Sequence, residues 1–243
     1  MFEPIKQAFG EFMGRYYQGL VPTTKPMFEF VGRGFGKSVQ YAPTRMIDAA
    51  EEMLAAWQRN DTDSAPTQPP KLPVIIVAMA RDVIPTGRDF NRQIADPEYV
   101  MLEDDPKGRM FALRTVASDI RTQVAFFTQD EPTARSLAAQ FGLFLDATGN
   151  RRFAAVFKNP LGEDEEWPVV IETPEIPFIS VRTEAKNLCI LAADLTLKVT
   201  VPLYSAPGAD NPNNDQSGSP GTTDPSGYLG VADTPIAFIE AKP

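Results

Sequence analysis

The segment Gly32-Arg33-Gly34-Phe35-Gly36-Lys37-Ser38 ends in the Gly-Lys-Ser with which a phosphate loop closes on a nucleotide. Such a loop needs four residues between its two glycines, so that successive backbone N–H groups wrap the phosphates, and a helix directly after it. Here the required first glycine falls on Val31 and Pro43 soon interrupts, so the segment reads as a glycine-rich connection. Glu163, Asp164, Glu165 and Glu166 form the densest carboxylate cluster, a donor type that suits calcium. Consecutive carboxylates point apart, however, and no glycine sits where a calcium loop turns, so the cluster reads as a solvated hairpin loop. Glu103, Asp104 and Asp105 read the same way. Glycosidase chemistry would need two carboxyl groups facing each other across a cleft.

Other chemistries are narrowed by what the chain lacks. None of its 243 residues is histidine, the usual general base near neutral pH and the commonest metal ligand, which removes catalytic triads and ordinary zinc sites. The lone Cys189 has neither a disulfide partner nor a histidine to activate it and is expected to be a core thiol. There is no Gly-x-Ser-x-Gly elbow. Lysine, tyrosine and carboxylate chemistry stays open, and no cofactor is implied. A net charge of −9 repels nucleic acid, so Trp57 and Trp167 read as core or interface anchors rather than base-stacking platforms. No apolar run approaches the ~20 residues of a spanning helix, and the N-terminus lacks secretory-signal order, so use in a reducing interior without membrane attachment is expected.

The elements that would position any site follow from hydrophobic period. Phe2, Ile5, Phe9, Phe12, Met13, Tyr16 and Leu20 recur at three- and four-residue steps, an amphipathic helix with an aromatic stripe. Gly10 and Gly14 weaken it alone, so it is expected to dock on the core or on a neighbouring subunit. The chain from 22 to 43 reads as an extended, packed connection. Thr44 is a candidate N-cap for a helix over 44–59, and 60–73 is a polar, proline-rich break. The apolar run 74–79 predicts a central strand buried on both faces.

Strands over 99–102 and 110–117 flank the turn signature Asp104-Asp105-Pro106-Lys107-Gly108 and predict a hairpin. The apolar phase is odd at Phe111 and Leu113 but even from Ile120, so a bulge or kink is expected at 117–119. Asp130-Glu131-Pro132 predicts a helix start, with Ala134, Leu137, Ala138, Phe141 and Leu145 on the buried face and Gly149 as the stop. Strands are expected at 152–158, 168–172 and 178–181, with the acidic loop at 161–166. Leu195, Leu197, Val199, Val201 and Leu203 alternate without interruption.

The chain has 23 prolines, about twice the usual ~5%, and many of them fall outside these elements. Past Tyr204 it becomes rich in Pro, Gly, Asn and Ser, too polar to fold alone, and it carries five acidic residues and one lysine. It ends in two apolar clusters, Tyr228-Leu229-Gly230-Val231 and Ile236-Ala237-Phe238-Ile239. The expected organisation is therefore an N-terminal helix and extended arm (1–43), an α+β core domain (44–204), and a flexible C-terminal arm with an apolar end (205–243). A helix stripe at one end and a tethered apolar strand at the other suit contact exchange between subunits. The candidate oligomer or partner contacts are Phe2, Ile5, Phe9, Phe12, Tyr16, Leu20, Tyr228, Leu229, Ile236, Phe238 and Ile239.

The order helix 44–59, strand 74–79, hairpin, long strand and helix over 120–146, and final strand 195–204 resembles the tail-terminator and neck proteins of tailed bacteriophages. The resemblance implies a mixed, mostly antiparallel sheet with helices packed on one side, and a non-enzymatic virion subunit made in the host cytoplasm. It further implies a homo-oligomeric ring, a hexamer, at the head–tail junction or tail end, with tail-tube, sheath or connector proteins as partners. Terminal arms would clasp neighbours, and DNA would pass an acidic channel without sequence-specific binding. The segment before Thr44 and the long C-terminal tail depart from the small terminators, which leaves a neck connector or baseplate-proximal component open. A carboxylate- or lysine-dependent enzyme and a ligand- or carbohydrate-binding module using Trp57, Trp167 or the tyrosines are the competing readings.

Overall fold

The structure, a computed structural model, describes residues 2–42, 72–80, 82, 84–86, 94–105, 110–172, 175–183 and 187–205. The expected helix at 44–59, Trp57, and the C-terminal contacts Tyr228, Leu229, Ile236, Phe238 and Ile239 lie outside the described residues.

The aromatic stripe of the first helix, α1 (Glu3–Gln18), finds its cover within the same chain. Phe9 and Phe12 stack at 5.2 Å, and Phe12 meets Phe144 and Phe153 at 5.2 Å and Phe141 edge-on at 6.2 Å. Tyr16 packs edge-on against Phe141 at 4.9 Å and places its hydroxyl, otherwise buried, 2.8 Å from the Leu137 carbonyl, to which it donates. Aromatic pairs at these separations add about 0.5–1.5 kcal/mol each beyond area burial, which offsets the two glycines in the helix. The stretch expected to be an extended connection contains α2 (Lys25–Gly32) and the short α3 (Phe35–Ser38) before β1 (Val39–Tyr41). Gly34, at φ +89°, makes the break between α2 and α3, a conformation that side-chain-bearing residues rarely adopt. Tyr17 secures α2 by donating to the Phe30 carbonyl at 2.7 Å.

The remaining elements are β2 (Val74–Met79), β3 (Ile84–Pro85), β4 (Glu98–Met101), β5 (Met110–Thr128), α4 (Glu131–Asp146), a 3-10 turn (Thr148–Arg151), β6 (Arg152–Lys158), β7 (Asp164–Ile171), β8 (Ile179–Ser180) and β9 (Cys189–Ser205). The fold is α+β. The sheet order is β1-β2-β5-β9-β7-β6, with β3 and β4 added to β5 and β8 added to β9. β1 runs parallel to β2, whereas β2 with β5, β4 with β5 and β7 with β9 are antiparallel. β2 is buried on both faces as expected. Ile75 and Val77 oppose Phe126 and Val124 on the face that Tyr16 and Phe141 pack against, and Val74, Ile76 and Ala78 join Ala125, Phe127, Ile190 and Ala192 on the other.

The chain divides into two compact units. One comprises Met1–Asn91, Ala117–Val156 and Glu166–Val201, and the other Arg92–Val116, Phe157–Glu165 and Pro202–Pro243. α1 belongs to the first unit, and the strands β5, β6, β7 and β9 each cross from one unit to the other. The expected kink at 117–119 takes the form of a change of burial phase in an unbroken strand. Residues 111, 113, 115 and 117 are buried, then 118, 120, 122 and 124. The change falls where β5 passes between units.

Asp130 caps α4 as predicted, its carboxylate accepting from the Thr133 N–H at 2.8 Å. Asp130→Ala is expected to lower the unfolding free energy by about 1 kcal/mol, read as a lower urea midpoint with an unchanged slope.

Candidate functional site

The N-terminal contacts proposed from sequence are occupied. Ile5, Phe9, Phe12, Tyr16 and Leu20 are all buried by their own chain, and Phe2 is half-buried, so this stripe does not require a companion subunit. The periodicity that marked it was real, but period alone does not say whose surface a stripe meets.

The glycine-rich segment is likewise used internally. Ser38 is fully buried, donates to the Phe30 carbonyl at 3.0 Å and accepts from Arg33 Nε at 3.0 Å, which leaves its hydroxyl no role at a phosphate. The acidic loop is shorter than expected. Asn159 organises it by accepting from the Leu161 and Glu163 N–H groups at 2.9 and 3.0 Å, with Gly162 at φ +86° making the turn. Asp164, Glu165 and Glu166 belong to β7 instead, and their side chains diverge as alternation demands. Asp164 meets Lys158 at 2.7 Å and Glu165 accepts from the Tyr204 hydroxyl at 2.7 Å. Trp167 is half-buried and its indole N–H is buried without a hydrogen-bond partner, unlike an exposed platform.

Sequence reasoning missed a cluster around Lys198. The clean alternation of β9 puts Lys198 on the face expected to be solvated, yet its side chain is only 7% exposed. Its ammonium lies 2.9 Å from Glu172 Oε2, donates to Thr86 Oγ1 at 3.1 Å and sits 3.8 Å from Asp119 Oδ1. Asp119 Oδ1 is itself buried and makes no hydrogen bond, so the ammonium is its ionic compensation. These groups come from four separate stretches, after β3, within β5, after β7 and within β9, so no local motif could have shown them. The hydrogen bond to Glu172 raises the Lys198 pKa above its ordinary value. An amine serving as a nucleophile or general base needs the opposite shift, so this lysine is a charged tie between strands.

A cleft of about 1050 Å³ opens beside α4. Its walls include Ala138 and Ala139 of α4, Phe178 and Val181 around β8, and Leu188 and Ile190 at the start of β9. Arg135, Arg182 and Glu131 are its charged lining, with Glu131 held by Arg135 at 2.6 Å. Cys189 also lines the cleft, half-buried rather than in the core as expected, and burial pushes its thiol pKa up, the reverse of an activated nucleophile.

The third feature is β4. It pairs with β5 from Glu98↔Leu113 to Met101↔Met110 and, among the described residues, with no other strand. Tyr99 and Met101 are 55% and 62% exposed, large apolar side chains on a sheet edge. Leu203, near the end of β9, is also exposed.

Among the described residues, no cluster of three or more carboxylate or thiol groups is placed to hold a metal ion, and no helix is long and apolar enough to cross a membrane. Comparison with protein-family models and with curated protein sequences finds no match.

Proposed function

We propose that the chain is a structural subunit of a tailed bacteriophage particle, a tail terminator or neck connector. In this reading, copies close into a ring at the head–tail junction or tail end, against tail-tube, sheath or connector proteins. The observation that carries this reading is the exposed apolar surface of β4. Tyr99 and Met101 stand exposed on a strand that, among the described residues, pairs only with β5, the combination that favours addition of a neighbour's strand. A closed ring uses such an edge on every subunit without leaving an open fibre. The element order supports the same reading, as does the net charge of −9, which favours passage of DNA over its retention. The buried Lys198, held protonated, lends nothing to a lysine-dependent enzyme.

Negative-stain imaging together with light scattering tests the proposal. Wild-type protein is expected to form closed rings, and the double variant Tyr99→Ser, Met101→Lys is expected to remain a single subunit with an unchanged urea midpoint, since both positions are exposed. A wild-type protein that stays monomeric at high concentration and in the presence of purified phage tails would overturn the proposal. Rings formed equally well by the double variant would remove β4 as their basis.

A further inference from the structure

The cleft beside α4 combines apolar walls with a locally basic rim on an acidic molecule. Among the described residues two arginines and one glutamate line it, with Glu131 held by Arg135, which leaves Arg182 as a further positive charge on the rim. Its border is also a sheet edge. β8 is two residues long and exposed, with Ile179 at 61%, and among the described residues it pairs only with β9, through Ile179↔Ala192 and Ser180↔Leu191. An occupant that fits is an extended, apolar segment carrying negative charge, able to lie along β8 and drop side chains between Ala139 and Leu188.

The chain contains such a segment. The 38 residues that follow the end of β9 at Ser205 hold five acidic residues and one lysine, and they end in the apolar clusters at 228–231 and 236–239. Fully extended, 38 residues reach at most about 130 Å, several times a subunit's radius, which puts an adjacent copy in range. We infer that the cleft receives the apolar segment 228–239, which carries the single acidic residue Asp233, of a second copy of this chain. This rests on the ring assembly proposed above. One docked segment per subunit, tethered to a neighbour already in contact, adds a second attachment at high effective concentration.

Cys189 makes the inference directly testable, because it is the only thiol in the chain and lines the cleft. In full-length protein, Ala237→Cys is expected to form intermolecular disulfides with Cys189 on mild oxidation at alkaline pH, seen as a ladder on non-reducing gels. The ladder should vanish when Cys189→Ser is added. It should be about tenfold stronger than with a cysteine at Ser217, in the polar stretch that the effective-concentration argument leaves unplaced. Ala139→Trp, at an exposed position of the cleft wall, should suppress it without changing the circular dichroism. Equal cross-linking from positions 237 and 217, an exclusively intramolecular product, or insensitivity to Ala139→Trp would overturn the inference. Images of the same samples separate the two claims. Rings without the 237 cross-link sink the docking site alone, and no rings with no ladder sink both.

Discussion

Replacing Phe12 with alanine is expected to destabilise the isolated subunit by about 3–5 kcal/mol, the usual cost of emptying a fully buried aromatic site. Phe12 is wholly buried and touches Phe9, Phe141, Phe144 and Phe153, so the cavity would open among rings drawn from α1, α4 and the start of β6. Rings cannot collapse into such a space without leaving their rotamers, which places the effect toward the upper part of that range. Chemical denaturation at low protein concentration, where association plays no part, reads the loss. Phe28, 65% exposed on α2, provides the contrast, since Phe28→Ala should move the midpoint by no more than about 0.5 kcal/mol. The pair of variants also decides where the N-terminal stripe belongs. Were the stripe an intersubunit contact, Phe12→Ala would spare the lone subunit and weaken association instead. An unchanged denaturation midpoint would therefore reverse the assignment of α1 to the subunit's own core.

The contrast between α1 and β9 shows what sequence periodicity carries. The steps from Ile5 to Leu20 specify a helix and its buried face, because both follow from 3.6 residues per turn, but the identity of the covering surface depends on residues more than a hundred positions away, such as Leu137 and Phe141. Capping is equally local, which is why Asp130 and the start of α4 were legible to the residue, whereas the stop expected at Gly149 falls in the 3-10 turn beyond the helix end at Asp146. The hairpin of β4 and β5 was legible from its turn, and the change of phase in β5 from the parity of Phe111 and Ile120. Alternation failed where both faces of a strand are covered. Lys198 and Thr200 occupy the polar phase of β9 and are nevertheless buried, at 5% and 4% exposure. Only the convergence of β3, β5, β7 and β9 makes that burial tolerable for a charge, and strand convergence is a property of tertiary topology. The short helix α2 escaped because Lys25–Gly32 is just eight residues, too few for a period to register. The exposed face of β4 and the cleft beside α4 were illegible for the same reason as Lys198, since each depends on how distant stretches of the chain come together.

Substituting Lys198 with methionine, which keeps most of the side-chain volume, is expected to cost about 2–3 kcal/mol at neutral pH. A fully buried pair broken on one side costs about 3–5 kcal/mol. The lower figure applies because Glu172 is 38% exposed and Asp119 20%, so water screens part of the charge left behind. The pH dependence distinguishes this from simple loss of packing. In the variant the carboxylates of Asp119 and Glu172 are left without their cation. Glu172 raises the folded pKa of Lys198 above its unfolded value, so the lysine's contribution is fully present below that unfolded value, near ~10.4, and is lost as pH rises through the folded one. Wild-type stability should therefore decline in strong alkali while the methionine variant lacks that component, and the two curves should converge there. Adding Asp119→Asn and Glu172→Gln to Lys198→Met removes the orphaned charges and should restore a substantial part of the loss at neutral pH. A deficit that stays constant from neutral pH into strong alkali, with no recovery in the triple variant, would mean that Lys198 contributes through its methylene packing and that the ionic tie between the strands is energetically silent.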